Sequence, residues 1–313
     1  MTARVACIGE CMLELSGGDT DRMTLSYGGD TLNTAVYLSR LGIVTDYVTA
    51  LGDDPYSDWM VDQWQSEGVG IEHVIRAPSR LPGLYAIRTD GRGERQFHYW
   101  RDQAPVRDLL TLPDWSKVAE NLCGYDLIYL SGITLSLYPT EQRDCLNEVL
   151  ARARRQGCRI AFDTNFRPRG WPSPEAARHT INRTLAHCDI ALPTLDDDRQ
   201  VFGDLDAEAC ATRLRDIGIG EVVVKMDATG CLISVDGETC RVNTEPQDSP
   251  VDTTGAGDSF NAAYLAGRLQ GTSPTIAARQ AHRLAGTVIM HRGAIIPRTS
   301  MPVEISEDGE HER

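Results

Sequence analysis

The sequence predicts an α/β protein: a doubly wound, mostly parallel sheet flanked by helices, with a small β element beside it. Three observations predict this. Short runs that are apolar on both faces recur along the chain, amphipathic stretches separate them, and a hairpin signal interrupts the alternation once. VACIG at 5–9 reads as the first strand. LIYLSG at 127–132, RIAFD at 159–163, DIALP at 189–193 and EVVVK at 221–225 follow. Each has the composition of a strand buried between two layers of helices. Residues 140–156 place Cys145, Leu146, Val149, Leu150 and Ala153 on one helical face, and Gly157 is suited to end that helix. Ser173-Pro174 is a cap residue followed by Pro at the first helical position, opening a helix through Ile181 and Leu185. Strand–helix–strand spacing implies right-handed crossovers, with ligands at the carboxyl ends of the strands.

Residues 83–101, GLYAIRTDGRGERQFHYWR, depart from that rhythm. Two runs rich in apolar and aromatic residues flank Thr-Asp-Gly-Arg-Gly-Glu, a turn signal. Alternation puts Tyr85 and Ile87 on one face of the first strand, and Phe97, Tyr99 and Arg101 on one face of the second. Such a hairpin either packs on the main domain or closes over a site, and the pattern leaves both open. No internal repeat, low-complexity tract or linker divides the chain. The last ten residues, EISEDGEHER, are polar and expected to fray.

A length of 313 residues suits one large domain or two small ones. The balance of 31 basic to 45 acidic residues gives a net charge of −14, which argues against a nucleic-acid partner. No apolar run approaches the roughly 18 residues of a membrane span. The start, MTARVACIGE, lacks a signal-peptide pattern. The expectation is a cytoplasmic protein with no membrane partner. Nine cysteines form no C-x-x-C pair and seven histidines no HExxH. The thiols therefore read as reduced, small core residues.

The stretch that carries chemistry is DTTGAGDSFNAAYLAG at 252–267. Phe260, Ala263, Tyr264 and Gly267 repeat at helical spacing, so Gly255-Ala256-Gly257 lies at a helix start. Unpaired N–H groups and the positive end of the dipole favour an anion there. Asp258, in the first turn, is placed to take a proton from an alcohol beside those groups, which is what phosphoryl transfer needs. Taken alone, the stretch fits equally an Asp that stabilises a glycine-rich helix start. Neither GxxxxGK[ST] nor a GxGxxG after the first strand occurs, which weighs against P-loop and dinucleotide proteins.

The same stretch resembles the C-terminal signature of the ribokinase/PfkB carbohydrate kinases. Gly28-Gly29-Asp30-Thr-Leu-Asn33-Thr-Ala, with Gly42 beyond, resembles their N-terminal signature. The resemblance covers nearly the whole chain and implies a ribokinase-like domain over 1–300. It implies a β lid formed from about 10–30 and 82–102, and a polar tail at 301–313. GECMLELS at 9–16, GGDTLNTAVYLSRLG at 28–42, YVTALGDD at 47–54, RLPGLYAI at 80–87, LPTLDDD at 192–198 and HRGAIIPR at 291–298 are more particular. They are similar to the branch of the family that acts on 2-keto-3-deoxy sugar acids. The implied reaction is ATP-dependent phosphorylation of the 6-hydroxyl of 2-dehydro-3-deoxy-D-gluconate. The alternatives are another sugar kinase of the family, such as a fructokinase or ribokinase, and a non-catalytic sugar-acid sensor.

The resemblance assigns roles position by position. Asp258 is the base, and Gly255, Ala256 and Gly257 form the anion hole. Gly29, Asp30 and Asn33 line the sugar site, and Tyr85, Tyr99 and Arg101 read its acid end from the lid. An Arg can bind a carboxylate at two points, which a neutral sugar would not require. Asp163-Thr-Asn165-Phe-Arg167 is similar to an element that touches nucleotide phosphates and, through Arg167, the substrate. Lys225-Met-Asp227-Ala-Thr-Gly230 resembles the nucleotide-binding loop, together with Gly255 and Gly257; the family usually has Gly where this chain has Asp227. Asp197 stands near the family's magnesium element and would act through water. Asp252, Thr254 and the 291–294 loop resemble the potassium site of some relatives. The lid's exposed apolar faces make pairing between subunits, and so a homo-oligomer, an expectation.

Overall fold

Backbone pairing in the computed structural model, which describes residues 2–17, 22–89, 95–245 and 247–302, produces two sheets. The strands are β1 (Arg4–Ile8), β2 (Met12–Ser16), β3 (Thr24–Gly28), β4 (Val44–Gly52), β5 (Val74–Ala77), β6 (Leu84–Thr89) and β7 (Arg95–Trp100). They continue with β8 (Leu127–Ser131), β9 (Arg159–Asp163), β10 (Ile190–Ala191), β11 (Glu221–Lys225), β12 (Cys231–Val235) and β13 (Glu238–Val242). The large sheet has nine strands in the order β13-β12-β11-β10-β9-β8-β1-β4-β5. From β11 to β5 every pairing is parallel, whereas β11–β12 and β12–β13 are antiparallel.

Among the described residues ten helices flank the sheets: α1 (Asp30–Arg40), α2 (Pro55–Ser66), α3 (Trp115–Asn121), α4 (Gly132–Ser136), α5 (Thr140–Arg155), α6 (Pro174–Leu185), α7 (Leu195–Phe202), α8 (Ala207–Asp216), α9 (Ala256–Leu269) and α10 (Pro274–Val288). Their starts follow local chemistry. Ser173 accepts from Ala176 N with Pro174 at the first position, and Ser273 and Pro274 repeat the device at α10. The expected helix over 140–156 is α5, and Gly157, at φ +96°, follows it. On that helix Leu146, Val149, Leu150 and Ala153 are buried, and Cys145 is only half-buried.

The sheet separates two cores, as a doubly wound fold requires. In β8, Ile128 and Leu130 join one apolar cluster with Leu146, Leu150 and Ile181. Their neighbours Leu127 and Tyr129 join the other, with Leu32, Phe260 and Tyr264. The parallel order brings the carboxyl ends of β1, β8, β9 and β11 to one edge. Glu10, Ser131, Asp163 and Lys225 stand there.

The expected sheet was narrower than the observed one. The structure adds β4 and β5 at one edge and the antiparallel β12–β13 pair at the other, so the sheet is mixed. DIALP contributes a ladder of only two residues. The hairpin is β6–β7, with Tyr85 opposite Tyr99 and Ile87 opposite Phe97. It pairs with β2 and β3 in a four-stranded sheet of order β3-β2-β6-β7. Residues 90–94 of the expected turn, and 303–313 of the expected tail, lie outside the described residues. Among the described residues no helix is long and apolar enough to cross a membrane.

Candidate active site

The start of α9 forms as the glycines dictate. Gly255 is its N-cap at φ +77°, a left-handed conformation, and an added Cβ would lie 2.8 Å from Ala294. The helical ladder begins with Ser259 N donating to Gly255 O, so the amides of Gly257 and Asp258 precede it. Asp258, in that first turn, is half-buried. Asn33 Nδ2 donates to Asp258 Oδ2 at 2.8 Å, and Thr34 Oγ1 to Asp258 O at 3.3 Å. Burial, then the nearby charge of Asp30, pushes the Asp258 carboxyl up to about 7; the Asn33 hydrogen bond pulls the other way.

Asp30 opens α1 beside it. Its Oδ2 accepts from Ser131 Oγ at 2.5 Å and from Asn165 Nδ2 at 2.8 Å. Gly29 precedes it, packed so closely that an added Cβ would sit 2.1 Å from Glu10 O. Beneath the α9 start lies a buried network. Lys225 Nζ donates to Asp163 Oδ2 (2.8 Å) and Asn261 Oδ1 (2.9 Å), and Asn261 Nδ2 donates to Asp163 Oδ2 and Tyr129 OH. Asp163 and Lys225 both lie within electrostatic reach of Asp258, with opposite effects on it.

The small sheet presents Glu14, Ser26, Tyr85 and Tyr99 on one face, by register. Tyr85 and Tyr99 lie 5.9 Å apart between ring centroids, and Phe97 stacks on Tyr99 at 6.3 Å. Tyr85 OH donates to Glu14 Oε2, so its proton is directed within the sheet, whereas Tyr99 is exposed. Arg101, just beyond β7, donates from Nη2 to the buried Glu10. Its guanidinium carbon lies 6.0 Å from the Tyr99 ring centre. Asp30 is within electrostatic reach of both Glu10 and Asp258, which ties the two ends of the site together.

Comparison with known proteins gives the family and the fold. The profile of the pfkB family carbohydrate kinases matches residues 2–301. The chain belongs to that family. Curated relatives include the 2-dehydro-3-deoxygluconokinase of Dickeya dadantii, 45% identical over 310 residues, covering 96% of this chain and 99% of its own. That of Escherichia coli K12 is 43% identical over 311 residues, covering 96% and 100%. A PfkB protein from Polaromonas superposes with a TM-score of 0.83 at 22% identity, over 96% of this chain and 98% of its own. These show an α/β ribokinase-like fold with its smaller lid sheet.

The chain belongs to the pfkB family, and its Lys225–Gly230 turn departs from the family pattern at one position. Asp227 takes the place of the usual Gly and sits at φ +46°, in the region glycine favours. Met226 N donates to Gly230 O at 2.8 Å, closing the turn. Asn165 is likewise left-handed, at φ +31°. Arg167 makes its hydrogen bonds to Phe166 O and, at 3.4–3.5 Å, to Asp197, on the α7 side rather than toward the lid. Asp197 also accepts from Phe166 N. Asp252 clasps two segments, accepting from Thr254 N and Gly293 N.

One acidic cluster elsewhere resembles a metal site: Asp198, Asp204 and Cys210. Arg213 already supplies its positive charge, donating to both Asp198 and Asp204. Glu10, Glu14 and Asn261 carry no local pattern that marks them as site residues. Glu10 stands in the quoted stretch GECMLELS, but its partner Arg101 is distant in sequence.

Proposed function

We propose that the protein transfers the γ-phosphoryl group of ATP to the 6-hydroxyl of 2-dehydro-3-deoxy-D-gluconate, releasing ADP and the 6-phosphate. One observation carries the reading: the helix start bearing Asp258 and the lid face ending in Arg101 meet at α1, where Gly29 packs on the backbone of Glu10, the partner of Arg101, and Asn33 donates to Asp258. The identity with two curated 2-dehydro-3-deoxygluconokinases over almost the whole of each chain supports the substrate.

In this reading the carboxylate of the open-chain acid binds Arg101, and the Tyr99 hydroxyl donates to an oxygen at the same end. Tyr85, its proton given to Glu14, offers oxygen lone pairs and ring surface. The Gly29–Asp30 corner takes the middle of the sugar, with Asp30 accepting from hydroxyls. Asn33 orients Asp258 instead of reaching the sugar alone. Asp258 takes the proton of the 6-hydroxyl as that oxygen bonds to the γ-phosphorus and the bond to ADP breaks. The amides at Gly255–Asp258 stabilise the charge that spreads over the transferring group.

ATP lies along Asn165, Arg167, the Lys225–Gly230 turn and the Gly255–Gly257 start. Lys225 acts from below, through its hold on Asp163, and Asp227 and Gly230 shape the turn. Magnesium travels with ATP and neutralises phosphate charge when bound. Asp197, within electrostatic reach of Asp163, offers the hard oxygen donors that ion takes through water. Asp252, which accepts from Thr254 N and Gly293 N, and Thr254 remain the candidate residues for a monovalent cation, and no step above depends on potassium.

We also infer self-association and a cytoplasmic location. Leu25 and Trp100 are exposed on the lid face opposite Tyr85, an apolar surface suited to a second copy of the chain. Nine free thiols suit a reducing compartment.

The test is ADP release across ribose, fructose and the keto-deoxy acid. Rapid turnover on the acid, with little on the neutral sugars, is expected. Equal turnover on fructose would overturn the substrate, and tight binding of the acid without ADP would make the protein a sensor.

A further inference from the structure

Among the described residues, three buried polar atoms in one neighbourhood have no hydrogen-bond partner: Glu10 Oε1, Arg101 Nε and Tyr138 OH. Buried polar groups are nearly always paired, so such a concentration points to a ligand. The residues come from three places in the chain: the β1–β2 connection, the end of β7 and the α4–α5 connection. Glu10 is 3% exposed and Tyr138 is 1% exposed. The lid backbone passes close by, since a Cβ added at Gly83 would meet Glu10 Oε1 at 3.1 Å and Arg101 Cβ at 3.3 Å. The Glu10–Arg101 pair is held at one point only, through Oε2 and Nη2. Each partner thus keeps an unused atom beside the other.

A buried carboxylate on Arg101 has a consequence for any acid that binds there. Two carboxylates would share one guanidinium, and like charges at close quarters oppose each other. We propose that Glu10 is the internal counter-anion of the acid end: it holds Arg101 in place until the substrate's carboxylate arrives, then competes with it for the guanidinium. Glu10 is then a positioning residue that also sets how strongly an anionic sugar is preferred over a neutral one. The inference rests on the reading of Arg101 as the carboxylate-binding residue.

The groups that face Glu10 are Arg101 beyond β7, Arg107 on the following 3-10 turn, Asp30 on α1, its neighbour Cys11, and Tyr138. Burial raises the Glu10 carboxyl, against the pull of Arg101 and Arg107 and with a push from Asp30. Protonated Glu10 no longer competes for the guanidinium. Preference for the acid should therefore be strongest at low pH and fall as pH rises through the Glu10 titration.

The experiment compares kcat/KM for the keto-deoxy acid with that for its neutral primary amide. The two share Asp258 as base, so its titration cancels in the ratio. Glu10→Gln keeps an acceptor for Arg101 and removes the charge. It should raise the acid-to-amide ratio about tenfold at pH 8 and make the ratio independent of pH. Glu10→Ala, which also releases Arg101, should lower the ratio. An unchanged or lower ratio in Glu10→Gln would overturn the proposal. Should that variant fail to fold, the wild-type ratio decides alone: a fall with rising pH supports the proposal, and a flat profile refutes it. Arg101→Ala separates the two readings. If it abolishes the preference while Glu10→Gln changes nothing, only the role of Glu10 fails. If it damages acid and amide equally, the carboxylate reading fails and this inference with it.

Discussion

The proposed role of Asp258 as base depends on its neighbours. An exposed carboxylate would be a weak base at neutral pH, whereas burial and Asp30 hold this one at about 7. If Asp258 is the base it must be ionised, so kcat/KM should fall as pH drops through about 7. A pH series on the neutral amide, which avoids the acid-end titration, should show that limb; a limb near 4 would contradict the role. The glycines and the acid at 255–258 were legible because helix-start chemistry is local. The bond from Asn33 to Asp258 was not, because it spans 225 residues and exists only once α1 and α9 pack. The same holds for Glu10 with Arg101, which are 91 residues apart.

Elements show where pattern serves and where it misleads. The hairpin was legible from its period of two, and its register places Tyr85 against Tyr99. By contrast β4 is a buried strand that carries Thr45, Asp46 and Thr49, and its polarity hides it. Asp46 is tolerated because Arg4 and Tyr125 donate to it. The β12–β13 hairpin did have a signal, Asp236-Gly237 at φ +52° and +83°, a two-residue turn of the kind that joins antiparallel strands. The Lys225–Gly230 turn yields a test of its own. Asp227→Gly should leave stability unchanged or raise it, because the position is already left-handed. A Val there should cost about 1–2 kcal/mol in a denaturant melt. Equal stability of the two variants would contradict the backbone assignment.

At the scale of the whole molecule, a net charge of −14 surrounds a site for anions. Positive charge is concentrated where it is needed, on Arg101, Arg107, Arg167, Lys225 and the start of α9. The parallel order of the sheet makes this possible by delivering several strand ends to one edge. The apolar lid face predicts a sedimentation coefficient that rises with protein concentration, and Trp100→Glu should reduce that rise. A monomer at all concentrations would rule out pairing through the lid. In the proposed reaction Asp258 activates the 6-hydroxyl of a keto-deoxy sugar acid. Single-turnover phosphorylation of that acid by Asp258→Asn tests it most directly. A fall of about 10²–10⁴-fold with substrate binding retained is predicted, and turnover near that of the wild type would contradict it.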